Sequence, residues 1–256
     1  MNTLKKTLAV TTLVLTLPIV ATTAQAFETS ANVTLTTDYK FRGISQTDTN
    51  GAIQGGFDVA FDNGFYIGTW GSNVDFAKSL ELDYYGGYGG DITDAISFDV
   101  GAIYYDYPGT ADTLRTFGMS GSESVEDDYA ELYGSLSFGD ATVGFAYSDD
   151  FYLETGEMFY VYGDYSFSLP YEVSLDLHYG FSSFEYDSDD SDAKDAARAF
   201  LTDGEDAYSD YSITLGKTWQ GVDFALSWID TDLDDEECFD SNICDSSVVF
   251  SISKSL

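Results

Sequence analysis

A serine, an aspartate and the single histidine of the chain occupy alternate positions in one short segment. Ser174, Asp176 and His178 lie at i, i+2 and i+4 of the run VSLDLHYGF, and these are the residue types of a hydrolase triad. Neighbours on one face of a strand stand side by side, whereas a triad needs nucleophile, base and acid to converge on one another. The segment therefore predicts a histidine hydrogen-bonded to a carboxylate, in a protein that is not an enzyme.

Carboxylates recur at alternate positions in many other segments. Alternation places nine acidic side chains and three tyrosines on the polar face of strand-like segments. They are Asp38, Asp58, Glu81, Asp83, Asp99, Glu131, Asp164, Asp176 and Asp223, with Tyr133, Tyr160 and Tyr162. Against these acids stand only Lys40, Arg42 and His178. Unpaired charges are very costly in a dry core, so an interior bounded by this face must be wet. Rings of acidic side chains attract cations and repel anions.

Acidic runs and two cysteines are the remaining candidates for metal binding. The run EYDSDDSD, residues 185–192, lacks the spaced ligands and central glycine of an EF-hand loop, so it predicts weak counterion binding and no defined site. Cys238 and Cys244 have no histidine nearby and make a poor zinc pattern. In an oxidising compartment they are expected to form a small loop disulfide. No cofactor is predicted.

The N-terminal residues predict export. Lys5 and Lys6 precede an apolar run over residues 8–20, and Ala24-Gln25-Ala26 follows it as a cleavage site. This pattern indicates a signal peptide over residues 1–26 and a mature domain over residues 27–256. The apolar run is too short for a transmembrane helix, and no later stretch reaches about 20 unbroken apolar residues.

Composition narrows the class of protein further. The formal net charge of -35 excludes nucleic acid as a partner, since phosphate binding needs clustered lysine and arginine. Aromatic residues make up 16% of the chain, with 20 Tyr and 19 Phe, while only 3 Pro are present. Many tyrosines and glycines with few prolines are typical of an all-β protein with amphipathic strands.

Hydrophobic alternation predicts twelve strands of about ten residues each. The expected segments are 31–41, 52–61, 65–73, 80–89, 95–105, 128–138, 141–148, 157–167, 172–182, 209–219, 221–230 and 246–256. In the first hairpin, one face carries Val33, Leu35, Tyr39 and Phe41, and the other carries Asp38 and Lys40. Strands of about 9–11 residues suit a membrane-spanning barrel.

The predicted connections alternate strictly between short and long. Tight turns are expected at 62–64, 91–94, 139–140, 168–171 and 220–221, and longer connections lie between them. Outer-membrane barrels have short periplasmic turns and longer external loops, whereas a Greek-key sandwich has no reason to keep this rhythm. The sequence therefore predicts an antiparallel up-and-down transmembrane β-barrel of about 12 strands.

Three segments resemble a known family. DYKFRGISQTDTNGAIQGGFDVAF (38–61), NGFYIGTWGSNVDF (63–76) and ELDYYGGY (81–88) are similar to the Gcw_chp family of proteobacteria, also called TorF-type porins. The resemblance implies an exported outer-membrane barrel with pore activity, and it supplies no catalytic or ligand residues. The chain ends in Leu256, where many barrels end in an aromatic residue.

These patterns lead to two functional hypotheses. The first is a porin in the outer membrane of a Gram-negative bacterium, which contacts lipid and lipopolysaccharide and passes small cationic or neutral solutes. Lys40 and Arg42, near the external rim, are its candidates for a constriction, and neutralising both should raise cation preference. The alternative is a non-conducting barrel that acts structurally, or binds partners through its acidic external loops.

Overall fold

The computed structural model describes residues 27–76, 79–108, 127–186, 206–238 and 240–256. Within these residues, twelve strands form a closed antiparallel barrel, which confirms the predicted fold class. The barrel strands are β1 Phe27–Thr36, β4 Ala52–Phe61, β5 Phe65–Ser72, β6 Glu81–Thr93, β7 Ile96–Asp106, β8 Tyr129–Phe138, β9 Ala141–Ser148, β10 Gly156–Leu169, β11 Val173–Tyr186, β12 Ala207–Trp219, β13 Val222–Thr231 and β14 Ser247–Ser255. The predicted signal peptide lies outside the described residues.

Shorter elements lie between the barrel strands. β2 Lys40–Phe41 and β3 Ile44–Ser45 form a small hairpin of their own. 3-10 helices span Tyr152–Glu154, Pro170–Glu172 and Asp235–Glu237. Across the part of the chain that the structure describes, helices are all too short or too polar to cross a membrane.

Neighbouring barrel strands pair in simple sequence order, and β1 closes the sheet against β14 with Leu35 opposite Ile252. Closure matters because it leaves no unpaired strand edge. Every barrel strand is thereby hydrogen-bonded on both sides, so side chains have only two faces to occupy, one outside the barrel and one inside.

Apolar residues cover the outer face because side chains alternate along each strand. Large apolar side chains exposed on that face include Val33, Leu35, Ile53, Phe57, Ile67, Val100, Leu132, Val143, Val161, Leu177, Ile213, Leu215, Leu226 and Phe250. The inner face carries small polar residues, tyrosines, glycines and most of the strand carboxylates. The barrel is therefore apolar outside and polar inside, the reverse of a soluble fold.

The connections also alternate between short and long, as predicted. Tight turns at 62–64, 94–95, 139–140, 170–172 and 220–221 lie at one end of the barrel. Gly64, Gly139 and Gly221 have positive φ in three of them, a conformation that glycine adopts at little cost. The longer connections join the strands at the other end and are named L1 (37–51), L2 (73–80), L3 (107–128), L4 (149–155), L5 (187–206) and L6 (232–246), of which 77–78, 109–126, 187–205 and 239 lie outside the described residues.

The first strand differs from its predicted range of 31–41, since β1 ends at Thr36. The chain then leaves the barrel wall, and Tyr39 and Phe41 pack against Trp70 and Tyr105 instead of lying on the outer face. Alternation indicates that one face of a segment is apolar. It does not indicate whether that face contacts lipid or other side chains of the protein. The alternation in L1 therefore predicts a continuation of the strand that the structure does not contain.

Candidate functional site

Loop L1 folds back into the barrel and places its tip among the inner side chains. The tip is the turn between β2 and β3, where Arg42 has φ 46° and Gly43 has φ 83°. A Cβ atom at Gly43 would collide with the side chain of Thr231 and lie 3.0 Å from Cβ of Asp210. Glycine is therefore required both by the backbone conformation and by the close approach of the loop to the wall.

Arg42 is the residue of L1 whose side chain lies among the inner side chains of the barrel. Its Nη2 donates to Glu131 Oε2 on β8 at 2.9 Å, and Nη1 lies 3.4 Å from the sulfur of Met158. The guanidinium carbon lies 4.4 Å from the ring centroid of Tyr160 and 4.7 Å from that of Phe41. Burial opposes the charge, but Glu131 and nearby tyrosines raise the pKa of Arg42 above its usual value, so the guanidinium stays protonated.

The wall around Arg42 is rich in buried acceptors. Glu131 Oε2 also accepts from the hydroxyl of Tyr105, and Glu81 Oε1 accepts from Tyr39 at 2.9 Å. Two oxygens, Glu131 Oε1 and Asp83 Oδ1, are buried and have no hydrogen-bond partner among the described residues. Buried carboxylate oxygens without donors are costly, so this part of the interior has spare capacity for a hydrogen-bond donor.

His178 forms a second inner cluster next to the hydroxyl of Tyr160. Its Nδ1 lies 2.7 Å from Asp164 Oδ1, and its Nε2 lies 3.0 Å from Asp210 Oδ1 and 2.9 Å from the hydroxyl of Tyr160. Each ring nitrogen faces a carboxylate oxygen, which only an N–H can satisfy, so the geometry fits an imidazolium. Ser174 instead donates to Asp176 at 2.8 Å, and the three residues of the triad pattern do not converge.

Tyrosines deeper in the barrel lie flat against the wall. Tyr66 donates to Asp99 at 2.7 Å and shares a hydrogen bond of 2.6 Å with Tyr133, and Tyr85 donates to Asp58. Their rings cover glycines directly opposite on neighbouring strands: Tyr66 covers Gly87, Tyr85 covers Gly68, Tyr133 covers Gly101 and Tyr162 covers Gly144. The rings present one face to the interior because the glycines leave room for the other.

The remaining predicted site residues lie near the two ends. Asp38 is buried within L1 and accepts from Ser45 and Thr47 at 2.6 and 2.9 Å. Asp176 accepts from Ser166 at 2.6 Å, and Asp223 accepts from Thr218 at 2.5 Å, both close to the tight-turn end. The structure thus brings Arg42 and Glu131 together, whereas Asp38, Asp176 and Asp223 lie in separate places.

Lys40 faces loop L6 rather than the interior. Its Nζ donates to the backbone carbonyls of Ile243 and Asp245 at 2.9 and 3.1 Å, and the carbonyl of Ile243 also accepts from the amide of Ser45 at 2.8 Å. Burial lowers the pKa of Lys40, although Asp38, Asp245 and Asp230 oppose that shift. L1 is therefore held from outside by L6 as well as from inside by Glu131.

The segment of L6 that holds L1 is closed by a disulfide. Cys238 and Cys244 are bonded, as predicted, with Cα atoms 6.2 Å apart. The carbonyl of Cys244 accepts from Thr231 at 3.0 Å, which ties the loop to the end of β13. Most of the acidic run at 185–192 lies outside the described residues. Within the described part of the chain, no group of three or more His, Cys, Asp or Glu could hold a metal ion.

Sequence reasoning missed several inner residues that take part in these clusters, among them Met158, Tyr105, Asp210, Tyr66 and Tyr85. Asp210 continues the inward alternation of Ser212 and Thr214 on β12, and that parity could have identified it. Tyr66 and Tyr85 lie in glycine-rich segments in which apolar residues occupy both faces, so no clean alternation marks them. The contact of L1 with the interior had no sequence signal apart from the basic character of Lys40 and Arg42.

Comparison with solved structures finds barrels of low sequence identity. The chain is similar to the NanC porin (TM-score 0.49, 10% identity, covering 88% of this chain and 98% of that one) and to the KdgM porin (TM-score 0.49, 10% identity, 88% and 97%). It is also similar to Pseudomonas aeruginosa OprD (TM-score 0.40, 12% identity, 91% and 67%). No curated protein matches the chain in sequence.

A family model provides the stronger relationship. It matches residues 20–256, which include every barrel strand and all the inner clusters described above. The family is described as bacterial protein of unknown function (Gcw_chp). The matched range also contains the three segments on which the resemblance was based, and the chain belongs to the Gcw_chp family.

Proposed function

We propose that the protein is an outer-membrane porin that passes small solutes and prefers cations. The observation that carries the proposal is a closed barrel with carboxylates such as Asp58, Asp99 and Asp164 on its inner strand face. These carboxylates outnumber the basic groups near them, so the interior has a negative potential. A low-dielectric wall focuses that potential, which concentrates cations and repels anions.

The apolar outer face supports a membrane location. A closed barrel satisfies all its backbone hydrogen bonds between strands, which is what a hydrocarbon environment requires. Lys217 and Lys254 lie on the outer side near the tight turns, and they donate to the backbone carbonyls of Tyr171 and Gly221. Lysines at strand ends can reach the headgroups. With the expected signal peptide, these features favour the outer membrane of a Gram-negative bacterium, in contact with lipid and lipopolysaccharide.

Ion selectivity of the purified protein in planar bilayers tests the proposal. We expect a reversal potential of cation-selective sign under a KCl gradient. Asp58→Asn and Asp99→Asn together should lower the cation-to-anion permeability ratio by roughly twofold or more, because each removes a charge from the interior. Asp62→Asn removes an exposed carboxylate in a tight turn and should change the ratio little. Anion selectivity of the unmodified protein would contradict the proposal.

A second function, that of a non-conducting barrel, is favoured by one observation. Tyr105, Tyr129, Phe151, Met158, Phe184 and Tyr208 form a buried cluster inside the loop end, and Tyr39, Phe41 and Ile44 of L1 pack against it. If this packing is permanent, the barrel acts structurally or through its external loops. Absence of conductance in the bilayer, together with unchanged envelope permeability in cells that lack the protein, would establish this alternative.

A further inference from the structure

We propose that Arg42 occupies an inner binding site for guanidinium-bearing solutes and acts as an internal substitute for them. The inference rests on the proposed porin function, because such a solute has to reach the barrel interior. It goes further by naming the solute class and by assigning the site to Glu131, Tyr160 and Met158, with Asp83 at its edge. L1 then blocks the site, because Arg42 fills it with the same guanidinium group that the site selects.

The contacts of Arg42 are those by which proteins hold a guanidinium group. A carboxylate oxygen of Glu131 lies 2.9 Å from Nη2, and the ring of Tyr160 lies 4.4 Å from the guanidinium carbon. Charge-assisted hydrogen bonds to a carboxylate and an aromatic face within about 6 Å are the two main sources of affinity for this group. The side chains of Arg42 and Glu131 are only 9% and 2% exposed, so water screens the pair weakly.

The site offers more acceptors than Arg42 uses. Glu131 Oε1 and Asp83 Oδ1 have no partner among the described residues, and Asp83 lies opposite Tyr105 in the strand register. Glu131 and Asp83 are both at least nine-tenths buried. A guanidinium group has five N–H donors and pairs best with both oxygens of a carboxylate. A solute that is free to turn can reach this geometry, whereas Arg42 is constrained by the backbone of L1.

Arg42 can be exchanged for a solute because it sits on a loop and not on a barrel strand. The turn that carries it has positive φ at two successive residues. L1 contacts L6 through Lys40 and Ser45, and it contacts L2 through the hydrogen bond from the amide of Asp75 to the carbonyl of Gln46 at 2.8 Å. If Arg42 leaves, the carboxylate of Glu131 remains buried and unpaired, which is costly. A cation of the same shape relieves that cost, so the empty site should favour a guanidinium group over a spherical cation.

Binding of ethylguanidinium to the protein in detergent micelles tests the inference. Calorimetric titration should give binding to Arg42→Ala that is about tenfold or more tighter than to the unmodified protein, because the internal competitor is gone. Urea, a neutral planar molecule of the same core shape, should not bind. Adding Glu131→Gln to Arg42→Ala should abolish ethylguanidinium binding, whereas adding Asp223→Asn, which removes a distant inner carboxylate, should leave it unchanged.

Heat-modifiable migration on a gel establishes that each variant is folded, and Arg42→Gln replaces Arg42→Ala if the latter does not fold. The inference is overturned if the folded Arg42 variant binds ethylguanidinium no more tightly than the unmodified protein, or if Glu131→Gln leaves that binding intact. Since binding in micelles does not depend on conduction, these results are separate from the ion-selectivity test. If the protein binds ethylguanidinium but passes no current, the result supports the guanidinium site and contradicts the proposed porin function.

Discussion

Inward tyrosines and glycines of the barrel are matched residue by residue across neighbouring strands. Gly101 lies directly opposite Tyr133, and a Cβ atom at Gly101 would collide with that ring and lie 2.7 Å from the carbonyl oxygen of Gly86. An aromatic ring that covers a cross-strand glycine stabilises the pair and replaces the packing that the glycine lacks. In these tyrosine–glycine pairs the glycine leaves the space that lets a bulky ring lie flat on the wall.

We predict that Gly101→Ala destabilises the barrel by about 1–3 kcal/mol, the usual cost of overpacking, since the backbone of Gly86 cannot move freely. Gly163→Ala is the matched control, because the added Cβ would lie 3.9 Å from its nearest neighbour, an ordinary contact. The control should shift stability by no more than about 0.5 kcal/mol. Denaturant unfolding in lipid vesicles measures both. Equal effects for the two variants would mean that the ring contact is unimportant.

The sequence is informative about single residues wherever side-chain alternation is regular. Asp58 and Glu131 lie between outward apolar neighbours, so counting by two placed them on the inner face. Counting could not predict which inner residues pair, because the pairing of Arg42 with Glu131 depends on the fold of a loop. Lys40 is a second example: the sequence predicts it near a constriction, whereas its amine contacts the backbone of L6.

Two loops act together as one element at the barrel end that carries the long connections. L6 presents the carbonyls of Ile243 and Asp245 to Lys40, and L1 carries Arg42 on the other side of that contact. The disulfide closes the same part of L6, which restricts the positions that these carbonyls can take. The position of Arg42 inside the barrel therefore depends on a contact outside it, between two segments far apart in sequence.

We predict that Lys40→Met loosens L1, since hydrogen bonds from a charged donor contribute about 1.5–3 kcal/mol each when they are buried. Trypsin should then cleave after Arg42 faster than in the unmodified protein, in which that residue is enclosed. Lys217→Met is the control, because Lys217 also donates to a backbone carbonyl, that of Tyr171, at the opposite end. If Lys40→Met leaves cleavage after Arg42 as slow as in the control, L6 does not hold L1.

The barrel strands themselves were predictable because each repeats a period of two over about ten residues. Predicted and observed ranges agree within a few residues for most of them, and 52–61 and 141–148 agree fully. Tight turns ended them sharply, as at Gly139-Asp140. The first strand was wrong by five residues at its end because apolar residues of L1 continue the same alternation while packing inside. Loops that fold inward are set by long-range contacts, which a local pattern does not encode.

The apolar outer face of the barrel decides in which environment the molecule can reside. Leu226 and Ser227 are adjacent in the middle of β13 and point in opposite directions. Leu226 is 48% exposed on the outer face, whereas Ser227 accepts a hydrogen bond of 2.7 Å from Thr214 on the inner face. Such a neighbouring pair allows the two environments to be compared at the same height in the barrel.

We predict that Leu226→Arg destabilises the folded protein in lipid vesicles by about 2–4 kcal/mol, the cost of a basic side chain facing lipid near the bilayer midplane. Ser227→Arg should cost less, about 0.5–1.5 kcal/mol for the lost hydrogen bond, because under the proposed porin function its charge faces a wet and acidic interior. Denaturant unfolding in vesicles measures both free energies. The contrast between them, rather than either value alone, carries the conclusion, since both variants add the same side chain to the same strand. A smaller cost for Leu226→Arg than for Ser227→Arg would place water outside and a dry core inside, and the barrel would then not be a membrane protein.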